Sequence, residues 1–248
     1  MSVKKLYKLK LSATCYKVLF SSLIVAIIVI PLYFFWFPYP LNKSLNINKM
    51  VVNIFFVNIA LVGLLTFIFF NPERKDNKVN MLIISFFQVV ALFVGLYYLV
   101  QVRPAWLVHH QDRIYLVQPS STIYPENVGI YQKVIDQFFG RVQLKTVKFS
   151  DNSFKYQDQL NQSVSGVGIE YQPLEYRSYD KSFALKYAQP ISNLLKYNKK
   201  NKVSEKVEEY SRQAKLWLPL RSSANGQDMV VLLDDKGSMV AIVTLNPW

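Results

Sequence analysis

The two histidines of this chain, His109 and His110, are neighbours, and that spacing already limits their chemistry. On an extended segment adjacent side chains point to opposite faces, so the pair cannot share one metal ion. No cysteine cluster and no HExxH spacing accompanies them. Both are expected to be polar residues at the water boundary, near the end of an apolar helix. A Ser-His-Asp hydrolase would want a GxSxG elbow, a nucleotide-binding protein a P-loop or GxGxxG, and none is present. Gly166-Val167-Gly168 is a lone GxG in a loop-like stretch. The single cysteine, Cys15, has no intrachain disulfide partner. Leu11–Cys15 (LSATC) has the outline of a lipoprotein box, but the apolar stretch follows the cysteine instead of preceding it. Cys15 is therefore expected to be a buried small residue near the interface. No catalytic residue, metal or cofactor is expected.

The elements that would position these residues are of two kinds. Residues 1–102 hold ten Lys or Arg and two acids, Glu73 and Asp76, for a net charge of +8; residues 103–248 carry +5. The first part contains three apolar runs, at 18–36, 51–70 and 81–102, none with a charged residue. Each meets the roughly 20 residues a helix needs to cross about 30 Å of hydrocarbon. Their apolar residues run all round the helix, unlike those of a surface amphipathic helix. Asn53, Asn58 and Gln88 are expected to hydrogen-bond between helices. The absence of intramembrane ionisable groups argues against an ion pump or transporter.

Orientation follows the flanking cations. Residues 1–17 carry Lys4, Lys5, Lys8, Lys10 and Lys17, and Arg74, Lys75 and Lys78 crowd the second loop, whereas the first loop has only Lys43 and Lys49. The tail and second loop are thus read as cytoplasmic, and 103–248 as exported. The first run is too long for a signal peptide and lacks a small-x-small exit, so it is read as a retained anchor.

The exported part reads as an α+β domain with an antiparallel sheet. Strands are expected at 114–118 and 142–149, and at 229–233 and 239–245 around the turn Asp234–Ser238, where Gly237 supplies a positive φ. Helices are expected at 125–140, 151–162, 182–197 with a break at Pro190, and 204–217 with Ser204 as N-cap. The basic run 196–202 reads as a solvated loop, not a nucleic-acid site. Tyr171, Tyr176, Arg177 and Tyr179 form a dense group suited to an interface or to the core.

Two stretches carry a resemblance. Arg103-Pro104-Ala105-Trp106-Leu107-Val108, followed by Asp112-Arg113, resembles the signature after the third membrane helix of the TfpX/TfpZ type IV pilin accessory proteins. Leu218-Pro219-Leu220 and the closing strands that end at Pro247-Trp248 resemble the C-terminus of that family; Tyr176-Arg177 and 188–195 are similar more loosely. His109-His110-Gln111 departs from it, standing where a more apolar or acidic stretch is expected. The resemblance implies a multi-pass protein of the bacterial inner membrane with a periplasmic domain. It also implies a type IV pilin as partner, no enzymatic activity, and a role in pilin assembly or in pilus extension and retraction. Arg103, Asp112 and Arg113 are read as a link between membrane and domain, with Arg103 reaching the headgroups. The rival readings are an envelope-sensing regulator, whose cytoplasmic parts are too short for an output domain, and an envelope enzyme acting on pilin.

Overall fold

The computed structural model describes residues 3–45, 47–71, 73, 77–125, 128, 129, 140–222 and 226–248. Arg74 and Lys75, and nearly all of the helix expected at 125–140, lie outside them. The chain divides into two compact units, Met1–Phe35 with Ile47–Val100, and Trp36–Asn46 with Gln101–Trp248.

The first unit is built of α1 (Val3–Trp36), α3 (Ile47–Phe69) and most of α4 (Asn77–Val102), all long and apolar enough to span a membrane. α1 starts at Val3, so the lysine-rich segment expected as a tail continues the helix of the first run. α3 turns Ile54, Asn58, Val62 and Thr66 inward at four-residue spacing, while Phe56, Leu64 and Ile68 face outward. Ser21, Asn58, Thr66 and Gln88 are held inside, and Gln88 Nε2 donates to Ser21 Oγ at 2.6 Å, the interhelical bond expected of it. Asn58 instead donates to its own helix, at Ile54 O, and Asn53 is exposed. Lys17 Nζ donates to Ser85 Oγ at 2.8 Å. Cys15 is exposed, not buried, because position 15 falls on the outward face of α1.

The second unit centres on a sheet of eight strands among the described residues, in the order β4-β3-β1-β2-β6-β7-β8 with β5 beside β6. The strands are β1 (Trp106–His110), β2 (Arg113–Val117), β3 (Gln143–Thr146), β4 (Arg177–Ser178), β5 (Gln189–Pro190), β6 (Leu216–Arg221), β7 (Met229–Leu233) and β8 (Met239–Val243). The sheet is mixed, correcting the antiparallel expectation, since β1 pairs β3 and β2 pairs β6 in parallel. Alternation sorts the side chains. Leu107, Ile114, Leu116, Leu218, Leu220, Met229, Val231 and Leu233 fill one face. Trp217, Val230 and Leu232 turn to a second cluster, and Trp106, Val108 and Val117 to a third. Covering both faces makes β7 apolar throughout, as a central strand must be.

Further helices among the described residues of this unit are α5 (Ser153–Val164), α6 (Lys181–Tyr187) and α7 (Lys200–Val207). The helix expected at 204–217 is replaced by α7, a 3-10 turn at Glu208–Tyr210 and the start of β6, so Ser204 is not a cap and Trp217 is a strand residue. Its proposed stripe still packs together, with Val207, Tyr210 and Ala214 all in the second cluster. The helix expected at 182–197 resolves into α6, β5 and a 3-10 stretch at Ile191–Lys196, since the backbone turns extended at Ala188 ahead of Pro190. Gly237 has φ +78°, as expected, and a Cβ there would meet Lys181 O at 2.5 Å.

The first inter-helix loop, including α2 (Leu41–Ser44), belongs to this unit. Leu41 is buried in the first cluster, Ser44 Oγ donates to Ser222 Oγ at 2.7 Å, and Gln227 N donates to Ser44 O at 2.9 Å.

Candidate functional site

The residues singled out from the sequence fall into three places. Arg103 and Pro104 stand where α4 ends, because a proline disfavours helical backbone in the residue before it. Both are buried, and Arg103 is only 2% exposed. Its Nη1 donates to Gly140 O at 2.9 Å, and burial lowers its pKa. The expectation that Arg103 reaches toward headgroups is therefore replaced by a guanidinium folded into the sheet domain. Beside it Gln118 Nε2 donates to Val102 O at 2.6 Å, capping the open end of α4.

Trp106, Leu218 and Leu220 are core residues. Trp106 meets Tyr176 edge-on at 5.8 Å, and the Tyr176 hydroxyl donates to Glu170 O at 2.6 Å. Burial raises the pKa of Tyr176, which stays a packed neutral phenol. Tyr179 donates to Gly237 O, and burial pushes its pKa up to about 12. The tyrosine group therefore belongs to the core, while Arg177 stays exposed on β4. Pro219 lies between the residues that β5 and β2 pair on β6, so on that edge its missing amide hydrogen leaves no gap in the ladder.

Asp112, Arg113 and Trp248 come together at the surface. Asp112 sits in the tight turn between β1 and β2, where Gln111 adopts φ +52°. Arg113 donates to both Asp112 oxygens, at 3.0 and 2.8 Å, and lies over the Trp248 ring, 5.5 Å from its centroid. The Trp248 indole donates to Asp228 Oδ2 at 3.1 Å, and Pro247 beside it is buried. Hydrogen bonding from Arg113 lowers the Asp112 pKa. β1 separates this cluster from Arg103 by roughly 16 Å of strand. Asp112 and Arg113 are part of a contact between the first hairpin and the C-terminus.

The histidines are the largest departure. Neither is exposed: they end β1 on its opposite faces, just before the turn into β2. His109 is fully buried, packed on Phe183 and Tyr179, with Nε2 hydrogen-bonded to Gln111 O at 2.8 Å and Nδ1 without a partner. Burial lowers its pKa to about 4. Lys148 and Asp180 pair nearby at 2.5 Å, and that hydrogen bond holds the Asp180 carboxyl well below the usual range. His109 is sealed from solvent, and Lys148 lies 4.4 Å from the centroid of the Phe183 ring that packs on it. No cluster of metal-ligating residues exists among the described residues.

The sequence reading missed two outward features. A cavity of about 270 Å³ opens between Tyr39, Pro40 and Leu41 on one side and Leu144, Met239 and Ile242 on the other. α5 buries only Gln159, which bonds to Ser150 N and Glu175 Oε2, and presents Phe154 (84% exposed) and Val164 (83%) to solvent. In its sequence, SFKYQDQLNQSV, Tyr156, Leu160 and Val164 share one face at four-residue spacing while Phe154 falls off it. No family model matches the chain, and no curated protein or solved structure matches it.

Proposed function

We propose that this chain is an accessory protein of type IV pilus biogenesis. It sits in the bacterial inner membrane with its N-terminus cytoplasmic and its sheet domain periplasmic. There it binds a cognate pilin, through both the pilin's membrane helix and its periplasmic head, to assist assembly or to modulate the extension and retraction that drive twitching motility. The inner-membrane assembly platform is a second contact in this reading, and membrane lipid surrounds the helices. No catalysis, cofactor or nucleic acid is part of it.

The observation that carries the reading is the order and spacing of Arg103-Pro104-Ala105-Trp106, Asp112-Arg113, Leu218-Pro219-Leu220 and Pro247-Trp248. Two physical facts support it. Arg113 and Trp248, far apart in sequence and both from those stretches, touch at the surface. In addition, Trp36–Asn46 folds with Gln101–Trp248, and three crossings put these two segments on one side of a bilayer. An apolar helical unit joined to a domain with exposed aromatics suits a partner that has one membrane helix and a soluble head.

The reading is tested by crosslinking in native membranes, with photoreactive residues at Phe154, Tyr39 and Trp248. A pilin adduct from at least one position is expected. No pilin adduct from any of them, at normal protein level, overturns it.

A further inference from the structure

We propose that the free edge of β8 is a docking site for one extended segment of another protein, added to the sheet as a further strand with apolar side chains at alternate positions. This holds whether or not that protein is a pilin. The strand order leaves β4 and β8 at the two ends of the sheet. β4 is two residues long and carries the exposed Arg177, the short and charged kind of edge that resists pairing. β8, MVAIV, is five residues long, has neither charge nor proline, and pairs only with β7 among the described residues. Its other edge therefore presents backbone N–H and C=O groups that no ladder meets. Met239 is 38% exposed, and Val240, Ala241 and Ile242 are half-buried, so a partner can reach this edge from outside.

A groove lies beside that edge. It encloses about 270 Å³ between Met239 and Ile242 of β8 and a facing wall of Tyr39, Pro40, Leu41 and Leu144. Met239 and Ile242, three residues apart, both line it because the β7–β8 register shifts by a bulge between Leu232 and Leu233. Tyr39 follows the last residue of α1 by three positions, at most about 10 Å along the chain, so the groove opens close to the end of that span. Edge and groove together select the occupant. Free ladder groups are met by an extended chain, and the alternate side chains of that chain then drop into the apolar groove. A lipid tail would fill the groove but bring no donor or acceptor to the edge. A helix has its backbone groups already engaged. A second copy would bring its own sheet and first loop against the wall at Tyr39 and Pro40, where a lone strand lies between wall and edge.

The test uses the full chain in phosphatidylcholine nanodiscs and an array of fluorescent decapeptides with varied apolar residues at alternate positions and threonine between them. At least one peptide should bind. Its twin, N-methylated at every residue, keeps the side chains but has no backbone donors, and should bind about tenfold more weakly or worse. Met239→Lys, which puts a charge at the exposed start of the edge, should weaken the unmodified peptide by about tenfold while the sheet stays folded. Binding by no peptide, equal binding of the methylated twin, or binding unchanged by Met239→Lys would each overturn the proposal. So would energy transfer between copies of the chain that Met239→Lys abolishes.

Discussion

The two units of this molecule obey opposite burial rules. The helical unit turns Leu19, Phe34, Phe56 and Leu82 outward and keeps Ser21, Asn58, Thr66 and Gln88 inside. The sheet domain seals Trp217, Leu218 and Val231 inside and leaves most of its lysines exposed. The two patterns are those expected of hydrocarbon and of water as surroundings. Where the surroundings are hydrocarbon, apolar contact outside costs nothing and polar groups must be satisfied within. Where they are water, apolar area is driven inward at about 25 cal/mol per Å².

Truncating one aromatic residue in each unit tests this contrast most severely. Trp217→Ala removes a buried indole that donates to Pro190 O at 3.0 Å, and should cost the sheet domain about 3–5 kcal/mol. Phe34→Ala on the outward face of α1 should cost under about 1 kcal/mol, read by proteolysis of the full chain in membranes. Comparable losses at the two positions would break the comparison.

A second difference concerns protons. The folded-state pKa of His109, about 4, lies below the unfolded value near 6.5. Its contribution is then fully present above pH 6.5 and is lost as pH falls from 6.5 toward 4, by at most about 3 kcal/mol. Denaturation of the sheet domain across that range should show the loss, and His109→Phe should flatten it relative to the parent. An unchanged pH profile in the variant would place the titration elsewhere.

The smallest effect is the most specific to the helical unit. Breaking the Gln88–Ser21 bond by Gln88→Leu should cost about 0.6–2 kcal/mol, and Ser21→Ala should then add little, because the two act as one pair. Additive losses in a double-mutant cycle would show that the contact contributes nothing.

Much of this was legible from local signals. The three apolar runs, the Asp234–Ser238 turn and the hairpin strands β7 and β8 announce themselves within a few residues. The parallel pairings of β1 with β3 and β2 with β6 do not, because they join segments tens of residues apart and leave no local pattern. Ser204 misled because Glu205, Glu208 and Glu209 mimic a helix start, whereas α7 is already four residues long there. The first loop was read for its cations alone, yet Leu41 and Leu45, one helical turn apart behind Pro38 and Pro40, pack on the core. At the candidate surface, the contact of Arg113 with Trp248 was invisible for the same reason as the parallel strands, although both residues had been singled out separately.

Topology labelling tests the central claim most directly. In a Cys15→Ser background, single cysteines at Tyr39, Lys78 and Trp248 are challenged with a membrane-impermeant thiol reagent in intact spheroplasts. The account predicts labelling at positions 39 and 248 and protection at 78 until the membrane is opened. Labelling at 78 with protection at 39 or 248 would contradict it.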